Sequence, residues 1–131
     1  MSQTDAGELL QAVRAFLRED VLPQLEGFSA YTTRVAANSL GIVARELQLA
    51  PQLQRLDAAA AATYGLDPQA GPVGSQIALR LRDGLQEVDD QLIAYLRQRT
   101  LLAMAIDNPK YAGFLQAQAR WRDLPTQDTP R

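Results

Sequence analysis

Leu9, Leu10, Val13, Phe16 and Leu17 recur at intervals of three and four, the spacing of one face of an α-helix. Thr4 or Asp5 opens this element, with Glu8 three residues beyond Asp5 as in a capping box. Pro23 lacks an N–H and crowds the preceding turn, so it ends or bends the helix; Gly27 is the next break. A second helix is predicted over 28–49, about 33 Å at 1.5 Å per residue. Phe28, Tyr31, Val35, Ile42, Val43 and Leu47 share its apolar arc. Ala50-Pro51 then starts a third helix with proline in its first turn, carrying Leu53, Leu56, Ala60 and Tyr64 to a glycine cap at Gly65. The five alanines at 58–62 read as helix propensity on a mixed face, or else as a surface for close backbone packing.

Residues 65–74, GLDPQAGPVG, read as a loop and as the segment expected to move most. A short fourth helix follows over 75–83, closed by Gly84. Asp89 or Asp90 caps a fifth, which turns Leu92, Ile93, Leu96, Ala103 and Ile106 inward. Asn108-Pro109 ends it and caps a sixth, short helix with Phe114, Leu115 and Trp121. The pattern predicts one all-α domain, a bundle of five or six helices over 1–122, with a disordered tail at 123–131.

Composition supports that class. Ala (21), Leu (20) and Gln (14) dominate the 131 residues, and β-branched residues are too few for a large sheet. The amino terminus, MSQTDAGELL, has two acids and no apolar stretch, so it does not read as a signal peptide. The longest candidate apolar run, 35–44, is too short for the roughly 18 residues of a membrane span. A cytoplasmic protein without membrane contact is expected.

Chemistry is mostly excluded. The chain has no His and no Cys, which removes imidazole and thiolate metal ligands and histidine-based triads. No Gly-rich phosphate loop, HExxH or EF-hand pattern occurs, and Lys110 is the single lysine. Ala37-Asn38-Ser39-Leu40-Gly41 only faintly resembles a nucleophile elbow and sits within a predicted helix. Catalytic residues, metal ligands and cofactors are therefore expected to be none. The pairs Arg80/Arg82, Arg97/Arg99 and Arg120/Arg122 point to opposite helix sides, since two residues span roughly 200°. With net charge −2, nucleic acid is not an expected partner.

The second helix carries the more informative polar residues. Glu46 projects near the centre of its apolar arc, while Arg34, Asn38 and Arg45 form a polar strip beside it with Gly41 between. On the fifth helix Arg99 falls among Leu92, Leu96, Ala103 and Ile106. A buried carboxylate must pair or stay protonated. Glu46 is thus expected to be buried against Arg99 or a tyrosine hydroxyl. The functional alternative is a polar pocket in which an anion meets Arg34, Arg45 or Arg99. Asn108, Lys110 and Tyr111 are read either as a helix boundary or as a docking or phosphate-binding surface. In the boundary reading Asn108 caps and the Tyr111 ring packs on the bundle.

The runs Phe16-Leu17-Arg18-Glu19-Asp20-Val21-Leu22-Pro23, Arg34-Val35-Ala36-Ala37-Asn38 with Arg45-Glu46, and Asn108-Pro109-Lys110-Tyr111 resemble an uncharacterised bacterial family of short helical proteins classed as a domain of unknown function. The resemblance covers roughly residues 5–112, and the chain extends beyond it at the carboxyl end. Genes of that family often lie beside acyl-CoA dehydrogenases and kinases similar to aminoglycoside phosphotransferases. The resemblance implies a setting in acyl-CoA or related small-acid metabolism, with such an enzyme or a second copy as partner. It assigns no catalytic residue. Three functions follow as expectations: a non-catalytic accessory or interaction module; a small-molecule or acyl-CoA binding module with an arginine-lined pocket; and an enzyme using Glu46 as acid or base, for which no partner nucleophile is visible.

Overall fold

The computed structural model describes residues 3–122, so the expected tail at 123–131 lies outside the described residues. The class is all-α. Five α-helices and no strand occur among the described residues: α1 (Gln3–Phe16), α2 (Gly27–Tyr64), α3 (Val73–Arg82), α4 (Asp90–Asp107) and α5 (Ala112–Arg120). No helix among those residues is long and apolar enough to cross a membrane. The chain divides into two compact units. One runs through Pro51 and includes Ile106–Asn108; the other comprises Gln52–Ala105 and the chain from Pro109 onward.

In the first unit, α1 ends at Phe16 and the helical run continues with altered pitch. It passes through a π turn at Leu17–Val21 closed by the Leu22 N–H on the Leu17 carbonyl, then a 3-10 turn at Leu22–Gln24. It ends there, beside Pro23, where Leu25 is extended. Asp5 lies inside the first turn of α1 rather than capping it. The buried side of α2 here is built from small residues: Ala37, Gly41 and Ala44. Many of the large apolar residues that defined the predicted stripes stay exposed, among them Val13, Phe16, Phe28 (82%), Tyr31 and Val35, while Leu10, Leu17, Ile42 and Leu47 are half-buried.

The second and third predicted helices are one. α2 runs 38 residues with Pro51 inside it. A proline costs an internal helix one hydrogen bond and a steric clash. Here the flanks Leu47–Leu49 and Gln52–Leu56 are good helix formers with no glycine to break them, so the helix continues through the defect.

The second unit holds the apolar core. Ile77 and Leu92 are fully buried, packed with Ala60, Ala61, Leu66, Val73 and Tyr95, and flanked by Leu56, Tyr64, Leu81 and Leu96. Two of the five alanines therefore pack in the core while Ala58, Ala59 and Ala62 are exposed. Gly65, at φ +63°, lets the Leu66 N–H return to the Ala61 carbonyl (2.9 Å) and buries Leu66, a Schellman ending to α2. The 65–74 segment is more ordered than a bare loop. Asp67 caps a 3-10 turn, and Gln76 Nε2 donates to the carbonyls of Asp67 (2.7 Å) and Gly71 (2.9 Å), so α3 begins at Val73. Asp89 caps α4 by accepting the Leu92 N–H at 2.7 Å.

The helix after Asn108 starts later than the pattern predicts. α4 ends at Asp107, Asn108-Pro109-Lys110 makes a turn, and Tyr111 stands at the N-cap of α5. Asn108 is therefore not the cap of the last helix. Proline at 109 fits a turn as well as a first helical position, and the turn prevails.

A cluster of arginines without a carboxylate

The α1 and α2 segments of the first unit run antiparallel, since partners on α2 fall in number as those on α1 rise. Arg18 Nη2 donates to Asn38 Oδ1 at 2.5 Å. Four residues earlier, the Arg14 guanidinium lies over Gly41: a β-carbon there would stand 3.1 Å from Arg14 Cζ and Nε and 3.1 Å from Arg45 Nη1. Glycine in mid-helix costs about 1 kcal/mol relative to alanine. Its presence at 41 is explained by the space the two guanidiniums occupy.

Arg45 is anchored by its other nitrogens. Its Nε donates to the Ile106 carbonyl at 2.8 Å and its Nη2 to the Asp107 carbonyl at 3.4 Å. Those carbonyls close a helix, where the dipole favours a cation. Arg14 has no such support. Its Nε is buried and makes no hydrogen bond. Burial, then the charges of Arg18 and Arg45, lower its pKa from the usual arginine value. Among the described residues no carboxylate lies within 4.0 Å of Arg14, Arg18 or Arg45. Glu19 and Asp20 follow Arg18 on the π turn and are exposed.

An open cleft of about 580 Å³ adjoins this cluster along the same pair of helices. It is lined by Gly7, Glu8 and Gln11 of α1 and by Ala44, Leu47, Gln48 and Pro51 of α2. Gln11 precedes Arg14, and Ala44 follows Gly41, by one helical turn each. Chemically the arrangement can hold an anion; it presents no nucleophile activated by a base.

The predicted site residues separate. Asn38 and Arg45 enter the cluster; Arg34 is exposed one turn before Asn38. Glu46 is exposed, which overturns its expected burial. Of the residues that define its arc, Phe28, Val35 and Val43 are exposed and only Ile42 is half-buried, so the arc does not place Glu46 against a core. Arg99 belongs to the second unit and pairs with Asp57, Nε to Oδ1 3.4 Å, not with Glu46. Tyr95 donates its hydroxyl to Asp57 at 2.6 Å. Burial and the Asp57 carboxylate push the Tyr95 pKa well above the usual tyrosine value. The expected pairing of a carboxylate with an arginine and a tyrosine thus exists, around a different acid. Lys110 and Tyr111 are exposed, and the Tyr111 ring lies beside Gly113 rather than in the core. Trp121 lies under Arg97, whose Cζ stands 5.4 Å from the ring centroid.

Arg14 and Arg18 are the residues the sequence reading missed. They are spaced by four along α1 and the π turn that continues it, the signal that marked Arg34 and Asn38 on α2, but the apolar stripe between them drew the reading.

A family model described as a domain of unknown function (DUF6285) matches residues 23–111. The chain belongs to this family. The family segment carries Asn38, Gly41, Arg45 and Pro51, whereas Arg14 and Arg18 precede it. No curated protein and no solved structure matches the chain.

Proposed function

We propose that this chain is a non-catalytic module that binds a small anionic molecule between α1 and α2. The observation that carries the reading is the Arg14 guanidinium: its Nε is buried without a hydrogen bond, and it stands beside two further cations with no carboxylate within 4.0 Å among the described residues. Like charges held together stabilise a bound anion, and guanidinium forks match the geometry of phosphate and carboxylate oxygens. An acyl-CoA or related acid metabolite, in a cytoplasmic bacterial setting, is the identity that the resemblance noted above implies.

Calorimetric titration with inorganic phosphate and with acetate tests the reading. Saturable binding of at least one, weakened tenfold or more by Arg14→Gln, is the expected result. Binding of neither overturns it.

The accessory or interaction reading draws on a different observation, the exposed Phe16, Phe28, Tyr31 and Val35 of the same unit. A metabolic enzyme such as an acyl-CoA dehydrogenase or a kinase-like protein, or a second copy, would cover them. Sedimentation of the isolated protein over a range of concentrations tests self-association, and a Phe28→Ser variant that sediments identically to wild type at every concentration counts against it.

A further inference from the structure

We infer that the anion is a phosphoryl group, and that it terminates a chain-bearing molecule whose remaining part lies in the adjoining cleft. This rests on the anion-binding reading above and goes on to name the ligand class. The Arg14 and Arg45 guanidiniums meet over Gly41 and that of Arg18 stands about one turn along the same helix pair, on Asn38, with no carboxylate within 4.0 Å of them among the described residues. A monocarboxylate would leave two of the three charges uncompensated. A phosphate monoester carries about −1.5 to −2 and three acceptor oxygens, enough to engage all three guanidiniums.

The cleft sets the rest. It runs from the level of Gln11 and Ala44, next to the arginines, to Gly7, Glu8 and Pro51. Seven residues of helix separate Ala44 from Pro51, about 10 Å at 1.5 Å per residue. The far end carries the Glu8 carboxylate, which disfavours a second anion there. Gln11 and Gln48 offer hydrogen bonds along the walls, and Ala44, Leu47 and Pro51 offer apolar surface. The groove is cationic at one end and acidic at the other. It fits a phosphate monoester whose chain is neutral and ends in a hydrogen-bond donor.

Gly7 supplies a clean way to separate head from tail. It lines the cleft, and a β-carbon built on it meets nothing within 4 Å. Gly7→Leu therefore has open space at its β-carbon, adds bulk at the cleft and improves helix propensity. Titrations of the full chain with inorganic phosphate, 6-hydroxyhexyl phosphate and 6-hydroxyhexanoate are the test. The ester is expected to bind at least tenfold more tightly than inorganic phosphate and than the carboxylate of similar length. Gly7→Leu is expected to bring the ester level with inorganic phosphate while leaving phosphate affinity unchanged. Arg14→Gln is expected to weaken both by tenfold or more. If the carboxylate binds as tightly as the ester, anion binding stands and the phosphoryl assignment falls. If Gly7→Leu leaves the ester's advantage intact, the cleft does not hold the chain and the inference is overturned. If no anion of the three binds, the underlying function falls with it.

Discussion

Arg99 and Arg14 are each laid against a glycine on a neighbouring helix, yet their electrostatic settings are opposite. A β-carbon at Gly74 would stand 3.2 Å from Arg99 Nε, as one at Gly41 would stand 3.1 Å from Arg14 Nε. Around Arg99 the second unit provides an acid, Asp57, and a tyrosine that shares it. Around Arg14 the first unit provides two more cations. The apolar context differs in the same sense. Arg99 belongs to the unit that buries Ile77 and Leu92, whereas among the described residues the unit of Arg14 buries only small residues of α2 and leaves its aromatics exposed. One arginine completes a structural network from within the chain; the other has two cations as charged neighbours and no carboxylate within 4.0 Å among the described residues. An arginine's role is therefore read from its partners, since the helix and glycine framing it are alike in both cases.

The largest expected effect tests the contrast in packing. Ile77→Ala removes a fully buried side chain and should destabilise by about 3–4 kcal/mol in urea unfolding, within the range for such truncations. Val13→Ala, on an exposed stripe, should stay within about 0.5 kcal/mol. Equal losses at the two positions would erase the distinction between the units.

Paired substitutions of the two arginines come next. Arg99→Gln should cost about 1–2 kcal/mol, less than a fully dry pair because the two side chains retain 33% and 23% of their exposure. Arg14→Gln should shift stability by no more than about 0.5 kcal/mol and in the stabilising direction, since it relieves repulsion from Arg18 and Arg45. Thermal unfolding in a buffer without phosphate or other polyvalent anions measures both. A clear loss with Arg14→Gln under those conditions would show that a partner within the chain holds it.

Tyr95 sharpens the comparison through pH. Its folded pKa is raised above the unfolded value of about 10, so the native state holds a proton that the unfolded chain gives up. That contribution is fully present below about pH 10 and is lost as pH rises further. Tyr95→Phe should cost about 1 kcal/mol at neutral pH and flatten the alkaline decline. Tyr64 is raised in the same direction, by burial and then by Asp89, so part of the decline remains in the variant. An unchanged alkaline profile in Tyr95→Phe would remove Asp57–Tyr95 from the account.

Gly41→Ala has the smallest expected effect on stability. The gain in helix propensity, up to about 1 kcal/mol, is opposed by the displacement of Arg14 and Arg45, so the melting temperature should barely move. Phosphate affinity should nonetheless fall several-fold, read by the same titrations.

Much of the architecture was legible because it depends on local rules. Gly65 and Gly84 end their helices where the pattern places them, and Asp89 caps α4. Two misreadings have one physical cause, that a break residue was credited with more than it forces. Pro51 leaves α2 continuous, and Asn108-Pro109 makes a turn before α5 starts at Ala112. The site was half legible. Asn38, Gly41 and Arg45 share a strip that one helix alone reveals. Which residues of another helix meet that strip is a tertiary fact, so Arg14 and Arg18 were invisible, and Glu46 was placed in an apolar setting that the fold leaves uncovered.

Pro51 has one more consequence. A proline has no amide hydrogen, so the Leu47 carbonyl, four residues back, lacks the donor that an ordinary helix supplies. Leu47 and Pro51 both border the cleft. The cleft is thus bordered by a residue whose carbonyl has lost its ordinary helical donor, a property of the backbone that no change to the Leu47 side chain can alter. Only replacing the proline returns the missing N–H, so position 51 acts on its surroundings through an atom it does not have.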